Sequence, residues 1–151
     1  MTYEGDLIRP LGLVTVNFGY AEYEIDSFLQ RLVDAGRIPS NWHSKPIGQK
    51  LAQLTVASSV SDAEVRSMLG VLLTEVDVLL AQRNMLIHGC ILAGGRVTSG
   101  RLGVNEKRTS VAELNSLAED IFSWKERLSG FRWRQVEPLF AALPGPDATK
   151  R

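Results

Sequence analysis

The chain has 151 residues, of which 44% are apolar and 23% charged, which is typical of one globular domain with one core. Lysine plus arginine equals aspartate plus glutamate at 17 each, so no overall basic field indicates nucleic acid, and any polyanion site must be local. The single cysteine, Cys90, excludes an internal disulfide, and with only His43 and His88 beside it a Cys/His zinc cluster is excluded as well.

The first ten residues, MTYEGDLIRP, include acidic side chains and no apolar stretch of signal-peptide length. Glu75 and Asp77 interrupt the longest apolar runs, so no segment is predicted to span a bilayer. Together with the lone cysteine, these features predict a protein of the reducing cytoplasm.

The first predicted element is a long helix over residues 11–34. Its apolar residues recur at alternating steps of three and four, a pattern that buries one helix face against other helices. These residues are Leu11, Val14, Phe18, Ala21, Ile25, Phe28 and Leu32. Gly36 and Pro39 end the helix, and residues 36–46 have the composition of a loop.

Two further helices are predicted after this loop. A short helix covers residues 46–57 and has a proline in its first turn. Ser61 and Glu64 then form a capping box that opens a helix over residues 62–88, which Gly89 ends. The predicted core positions of this helix are Val65, Leu69, Leu72, Val76, Leu79 and Leu86.

The segment after Gly89 differs from the helical pattern. Short apolar or β-branched runs flank Gly94 and Gly95 within residues 90–103, which predicts a small hairpin. A second capping box, at Ser110 and Glu113, then opens another helix that extends to about residue 129. Its predicted core positions are Leu114, Leu117, Ile121, Trp124 and Leu128.

Gly130 is predicted to end this helix, and a last helix is predicted over residues 132–142. Its predicted inward-facing residues are Trp133, Val136, Leu139 and Phe140. Residues 144–151 are expected to be a frayed tail. The sequence therefore predicts a single domain over residues 1–151: an all-α bundle of four to five helices with a small β-hairpin insertion after the third helix.

The heptapeptide RNMLIHG, residues 83–89, places polar side chains where the long third helix ends. Arg83 falls in the centre of the buried stripe, while Asn84 lies about 100° and His88 about 140° around the helix from it. Asn84 and His88 are spaced i,i+4, so their side chains can touch. One interpretation is structural, with Arg83 in a buried ion pair with Glu22 or Glu24.

The other interpretation is functional. An arginine offers a fixed fork for a phosphate, and a histidine accepts or donates a proton near neutral pH. An asparagine can orient either of them. Such a group suits cleavage of a phosphodiester without a metal.

The run from Arg83 through Asn84 to His88 resembles the motif of HEPN domains, an arginine followed by four to six residues and a histidine, often with a polar residue after the arginine. These domains are small all-α bundles with the motif at the end of a long helix, so the resemblance implies a HEPN-like bundle. It covers residues 18–128 loosely, with its specific part at residues 83–89, and the order of elements is similar to that of stand-alone bacterial HEPN-like proteins.

Many members of that family are metal-independent endoribonucleases, often toxins or antiviral effectors, that act as dimers with two motifs in one cleft. The resemblance implies that Arg83 holds the scissile phosphate of RNA and its developing charge. It implies that His88 is the general acid or base and that Asn84 orients His88 or the phosphate. The expected partners are RNA, a second copy of the chain and an antitoxin protein, with no metal, cofactor or membrane.

A second candidate RNA-binding group lies near the end of the chain, where Lys125, Arg132 and Arg134 surround Trp133. Arginines interleaved with aromatic residues can stack the bases of single-stranded RNA. The alternative places Trp133 in the core and the arginines on a solvated face.

Two other functions remain open from the sequence. The chain could be a non-catalytic module for protein interaction or nucleotide binding, in which Arg83 and His88 are structural. It could also bind a small ligand in the core of the bundle.

Overall fold

A computed structural model describes residues 6–55, 63–88, 90–92, 96–99 and 104–141, with side chains at 6–55, 63–86 and 109–140. The described residues form a helical bundle, which confirms the predicted all-α class for the body of the protein. The α-helices are α1 (Ile8–Asp34), α2 (Ile47–Leu54), α3 (Ala63–His88), α4 (Val111–Phe131) and α5 (Glu137–Ala141). A 3-10 helix, Trp42–Ser44, precedes α2, and a π-helical turn, Arg132–Val136, joins α4 to α5.

Three short strands lie between α3 and α4, namely β1 (Cys90–Leu92), β2 (Arg96–Ser99) and β3 (Val104–Arg108). They form one antiparallel sheet in the order β1-β2-β3, with Ile91 opposite Val97 in the first pair. β1 and β2 lie within residues 90–103, for which the sequence predicts a hairpin, and β3 follows that segment. That strand pairs with β2, and three strands are more stable than an isolated pair.

The chain divides into two compact units, and each long helix contributes residues to both. Unit 1 comprises residues 1–20 and 75–124, and unit 2 comprises residues 21–74 and 125–151. The buried apolar side chains of unit 1 are Val14, Phe18, Val76, Leu86, Leu114, Leu117, Ala118, Ile121 and Trp124. Those of unit 2 include Ile25, Phe28, Leu29, Leu32, Leu51, Leu54, Val65, Leu69, Leu72, Leu128, Phe131, Val136 and Phe140.

The ends of α1 follow from local hydrogen bonds. At its start, the Asp6 carboxylate accepts a hydrogen bond of 2.9 Å from the Ile8 amide, which satisfies one of the free donors of the first turn. At its end, Gly36 adopts a φ of 70°, and the Arg37 amide donates to the Leu32 carbonyl at 2.9 Å. This hydrogen bond and the left-handed conformation of Gly36 form a Schellman motif. Glycine is favoured at that position because a left-handed backbone strains residues that have a Cβ. The prediction that α1 ends before Gly36 is confirmed.

The start of α4 is also capped as predicted. The Ser110 hydroxyl accepts a hydrogen bond of 3.2 Å from the Glu113 amide, and all five predicted core positions of α4 are buried. The capping box at Ser61, the stop at Gly89 and the tail at residues 144–151 lie outside the described residues.

The prediction that Gly130 ends α4 is wrong, because α4 continues to Phe131 and passes directly into the π-helical turn. The Gly130 carbonyl accepts a hydrogen bond of 3.2 Å from Arg134 Nε, and a Cβ at position 130 would meet the end of the exposed Arg134 side chain, which is flexible enough to move aside. An isolated glycine within a helix costs about 1 kcal/mol in helix propensity, and burial of Leu128 and Phe131 on either side of Gly130 offsets that cost.

The π-helical turn also makes the prediction for Trp133 wrong. Trp133 is 58% exposed, whereas Val136 and Phe140 on the same stretch are 5% exposed. A π-helical turn holds one more residue than expected from the 3.6-residue period, so the inward positions shift along the chain and Trp133 turns outward.

Lys50 of α2 is the most deeply buried charged side chain among the described residues, at 2% exposure. Its Nζ lies 2.8 Å from Asp26 Oδ1 and 3.2 Å from Glu22 Oε1, both on α1. Burial alone would lower the pKa of Lys50, but the hydrogen bonds and charges of Asp26 and Glu22 outweigh it and raise the pKa above 10.5. The lysine therefore stays charged and ties α2 to α1 within unit 2.

Candidate functional site

Arg83 and Asn84 occupy the last two turns of α3, in unit 1. Val76 and Leu86, on the same side of the helix as Arg83, are both buried, at 2% and 9% exposure. Arg83 itself is half-buried. This placement is consistent with the predicted position of Arg83 on the apolar stripe. Partial burial of a cation costs desolvation free energy, so a compensating contact is required.

Two contacts hold the Arg83 guanidinium. Its Cζ lies 4.6 Å from the ring centroid of Phe18, a buried residue of α1, which is a cation–π distance. Its Nη1 donates a hydrogen bond of 2.9 Å to Asn84 Oδ1. Arg83 Nε is buried and has no hydrogen-bond partner within the part of the chain that the structure describes. The plane of the guanidinium is therefore fixed by a ring and an amide oxygen.

The carboxylates expected to pair with Arg83 in the structural interpretation have other partners. Glu24 Oε1 accepts hydrogen bonds from Arg132 Nε, at 3.0 Å, and Glu22 pairs with Lys50. Among the ion pairs of the described residues, none involves Arg83. The prediction of a buried ion pair between Arg83 and Glu22 or Glu24 is therefore wrong.

Asn84 directs its carboxamide oxygen to the adjacent arginine. The sequence indicated a contact between Asn84 and His88 through the i,i+4 spacing. His88 is the last residue of α3, and its side chain lies outside the described side chains. The roles inferred for His88, and its contact with Asn84, stay predictions.

A cavity of about 480 Å³ lies in unit 1 beside the same end of α3. Gln82, Met85 and Leu86 of α3 line it together with residues of α4 that include Glu113 and Leu114. Neither Arg83 nor Asn84 is part of this lining. Because Arg83 does not line it, the cavity is not by itself the phosphate site that the motif predicts.

The second group of candidate RNA-binding residues lies in unit 2, and its side chains have internal contacts. Arg132 Nη2 lies 2.9 Å from Glu24 Oε1, so its charge is neutralised within the protein. Arg134 is exposed and bonds the Gly130 carbonyl. Lys125 is half-buried, and its Nζ lies 2.5 Å from Glu126 Oε1. An RNA phosphate would have to compete with a carboxylate for Arg132 and Lys125.

No group of three or more His, Cys, Asp or Glu side chains among the described residues is arranged to hold a metal ion. No helix in the described ranges has the length and apolarity needed to cross a membrane.

Comparison with family models, with curated proteins and with solved structures finds no match. The HEPN resemblance therefore depends on residues 83–89 and on the helical setting of that motif.

Proposed function

We propose that the protein is a HEPN-like, metal-independent endoribonuclease of the toxin or defence type. In this proposal Arg83 holds the scissile phosphate, His88 transfers the proton, and Asn84 holds the guanidinium of Arg83 in position. The role of Asn84 is a revision, because its Oδ1 accepts a hydrogen bond from Arg83 Nη1.

The observation that carries the proposal is the environment of Arg83. Its guanidinium is fixed by Phe18 and Asn84, yet no carboxylate of the described residues neutralises it. A half-buried cation without a counter-ion costs stability, and such costs are typical of residues that serve a ligand. A phosphate oxygen would supply both the missing charge and further hydrogen-bond acceptors.

The proposed chemistry needs one proton acceptor and one anion-stabilising group. A base removes the proton of a ribose 2′-hydroxyl, the 2′-oxygen attacks the adjacent phosphorus, and the bond to the 5′-oxygen breaks as that oxygen takes up a proton. The products are a 2′,3′-cyclic phosphate and a 5′-hydroxyl. His88 serves as the base or the acid, and Arg83 stabilises the charge that develops on the phosphoryl oxygens.

The proposal includes a homodimer with C2 symmetry, since two motifs meeting across a twofold axis provide one histidine for each proton transfer. It also includes an antitoxin protein as a partner and the cytoplasm as the site of action. Sedimentation at micromolar concentration tests the dimer, because a species of 16.7 kDa alone would contradict it.

The activity is tested by incubating total RNA with the protein in EDTA, beside Arg83→Ala. The matched control is Arg66→Ala, which removes an exposed arginine from the same helix. We expect the wild type and Arg66→Ala to cut RNA and to leave 2′,3′-cyclic ends. Arg83→Ala should be slower by about 10²–10³-fold. Cleavage that EDTA abolishes and magnesium restores would contradict the proposal.

A second candidate function is a non-catalytic interaction module. It is favoured by three exposed apolar side chains on one stripe of α1, namely Leu13, Val16 and Tyr20, which are 45%, 52% and 55% exposed. They follow the steps of three and four that let one helix face pack on another. This candidate predicts no cleavage by the wild type and an Arg83→Ala variant that retains full binding to its protein partner.

A further inference from the structure

Unit 2 contains a cavity of about 480 Å³ that lies far along the chain from the RNA motif. Its walls include α1, the 3-10 helix and the π-helical turn. Two aromatic side chains on these walls are exposed, Tyr23 at 72% and Trp133 at 58%. The volume lies within the range of small-molecule sites.

The exposure of Trp133 results from the backbone conformation of the π-helical turn. Its neighbours Phe131 and Val136 are each only 5% exposed, and the intervening π-helical turn is what moves the tryptophan out of the buried register. π-helical turns are rare and occur frequently at functional sites. An exposed indole contributes no burial free energy to folding. We therefore look for a binding role for the exposed Trp133 side chain.

The arginines of this cavity are already neutralised. Arg31 Nε donates to both oxygens of Glu137, at 2.7 and 2.8 Å, and Arg132 bonds Glu24 at 3.0 Å. Neither guanidinium is free for a phosphate. The cavity therefore lacks the unpaired cations that a nucleotide or RNA site requires.

The remaining charge of the lining is negative. Arg31 pairs with Glu137, and Arg132 pairs with Glu24. Asp26 pairs with Lys50. Asp34 is therefore the lining carboxylate that has no ion pair among the described residues, and with neutral histidine it leaves a net charge of −1. Asp34 makes its side-chain hydrogen bond with a neutral group, the Gln30 amide, at 2.8 Å. The field at this surface consequently attracts a cation and repels an anion.

Exposed aromatic rings and net negative charge both favour the same ligand class. The electron-rich faces of tryptophan and tyrosine attract ammonium and guanidinium groups. Arg132 Cζ lies 4.8 Å from the centroid of the Trp133 ring, so one face of this ring already contacts a cation. We propose that the unit 2 cavity binds an organic cation with an alkylammonium or guanidinium head, which the rings of Tyr23 and Trp133 contact. The charge of Asp34, about 16 Å further along α1 than Tyr23, attracts this cation without pairing with it.

Calorimetric titration of the full chain with choline and with agmatine tests this proposal. The neutral isostere of choline, 3,3-dimethyl-1-butanol, isolates the contribution of charge, and AMP represents an aromatic anion. We expect at least one cation to bind at millimolar concentration or better, at least about tenfold more tightly than the neutral isostere. AMP should bind more weakly than either cation.

The side chains are tested with a matched pair on one helix. Tyr23→Ala removes a ring from the cavity, and Tyr20→Ala removes another exposed ring that is not in its lining. We expect Tyr23→Ala and Trp133→Ala to weaken cation binding about 3- to 30-fold and Tyr20→Ala to leave it unchanged. Asp34→Asn should weaken cation binding less than either aromatic variant, and this effect should disappear at high salt.

Three outcomes would overturn the proposal: no binding of either cation up to about 20 mM, equal affinity for choline and its neutral isostere, or tighter binding of AMP than of the cations. Circular dichroism of each variant excludes loss of fold as the cause of a lost signal. Because the exposed rings contribute little to the core, both aromatic variants are expected to fold.

Discussion

Replacement of Arg83 by alanine measures how much this side chain contributes to the free energy of unfolding. The variant loses a cation–π contact with Phe18 and a hydrogen bond to Asn84, each worth about 1 kcal/mol at a half-buried position. It also removes the buried Nε–H that has no partner among the described residues, which returns about 1 kcal/mol. We therefore expect Arg83→Ala to lower the free energy of unfolding by about 1 kcal/mol.

Urea unfolding provides the measurement. With a slope of about 1–3 kcal/mol per molar, the midpoint should fall by roughly 0.5 M while the slope stays unchanged. Arg83→Met retains an apolar stem without the unpaired Nε–H, so its midpoint should lie within about 0.3 M of the wild type. A double-mutant cycle with Phe18→Leu should give a coupling energy of about 0.5–1 kcal/mol.

A loss of about 3–5 kcal/mol in Arg83→Ala would refute this reasoning. That magnitude is typical of a carboxylate left buried without its partner, and it would mean that Arg83 is the counter-ion of an acidic group. The structural interpretation of the motif would then be favoured over the phosphate site, even if RNA cleavage were also lost.

Three further predictions concern other residues of the chain. Lys50→Met should lower the free energy of unfolding, measured in urea, by about 2 kcal/mol. Because the pKa of Lys50 is raised above 10.5, its ion pairs contribute fully to stability below pH 10.5. The difference in stability between wild type and variant should therefore be constant near neutral pH and shrink only above pH 10.5. Ser110→Ala, which removes the cap of α4, should cost about 1 kcal/mol in the same assay, and Ser110→Asp should restore most of it. His88→Ala should slow RNA cleavage by roughly 10²–10⁴-fold, measured from initial rates in EDTA, and undiminished cleavage would remove His88 from the mechanism.

The helical core could be read from the sequence because apolar spacing depends only on which helix face is buried. Leu114 and Leu128 of α4 are buried as predicted, at 1% and 0% exposure, and so are Phe18 and Phe28 of α1. Trp133 departs from this pattern because the sequence contains no clear signal for the π-helical turn that shifts its register, and the predicted core residues Leu11 and Leu79 are only half-buried. Gly130 was misinterpreted as a helix end because an isolated glycine can also lie within a helix, at a cost of about 1 kcal/mol.

Partners distant in sequence could not be predicted from periodicity. Glu24 is 8% exposed because Arg132, 108 residues further along the chain, pairs with it, and the periodicity of α1 does not indicate that partner. Arg83 was correctly expected on the buried stripe, but its contacts with Phe18 and Asn84 required the structure. The sequence thus indicated where Arg83 lies on α3 and left its partners open.

Two ion pairs of unit 2 can form only after almost the whole chain has been synthesised. Arg31 and Glu137 are 106 residues apart, and Glu24 and Arg132 are 108 apart. At a synthesis rate of about 5–20 residues per second, Arg132 and Glu137 are added to the chain roughly 5–20 s after their partners in the second half of α1. A ribosome-stalled chain that ends before residue 132 should therefore leave residues 21–34 open to proteases and to chaperones that hold exposed apolar helices.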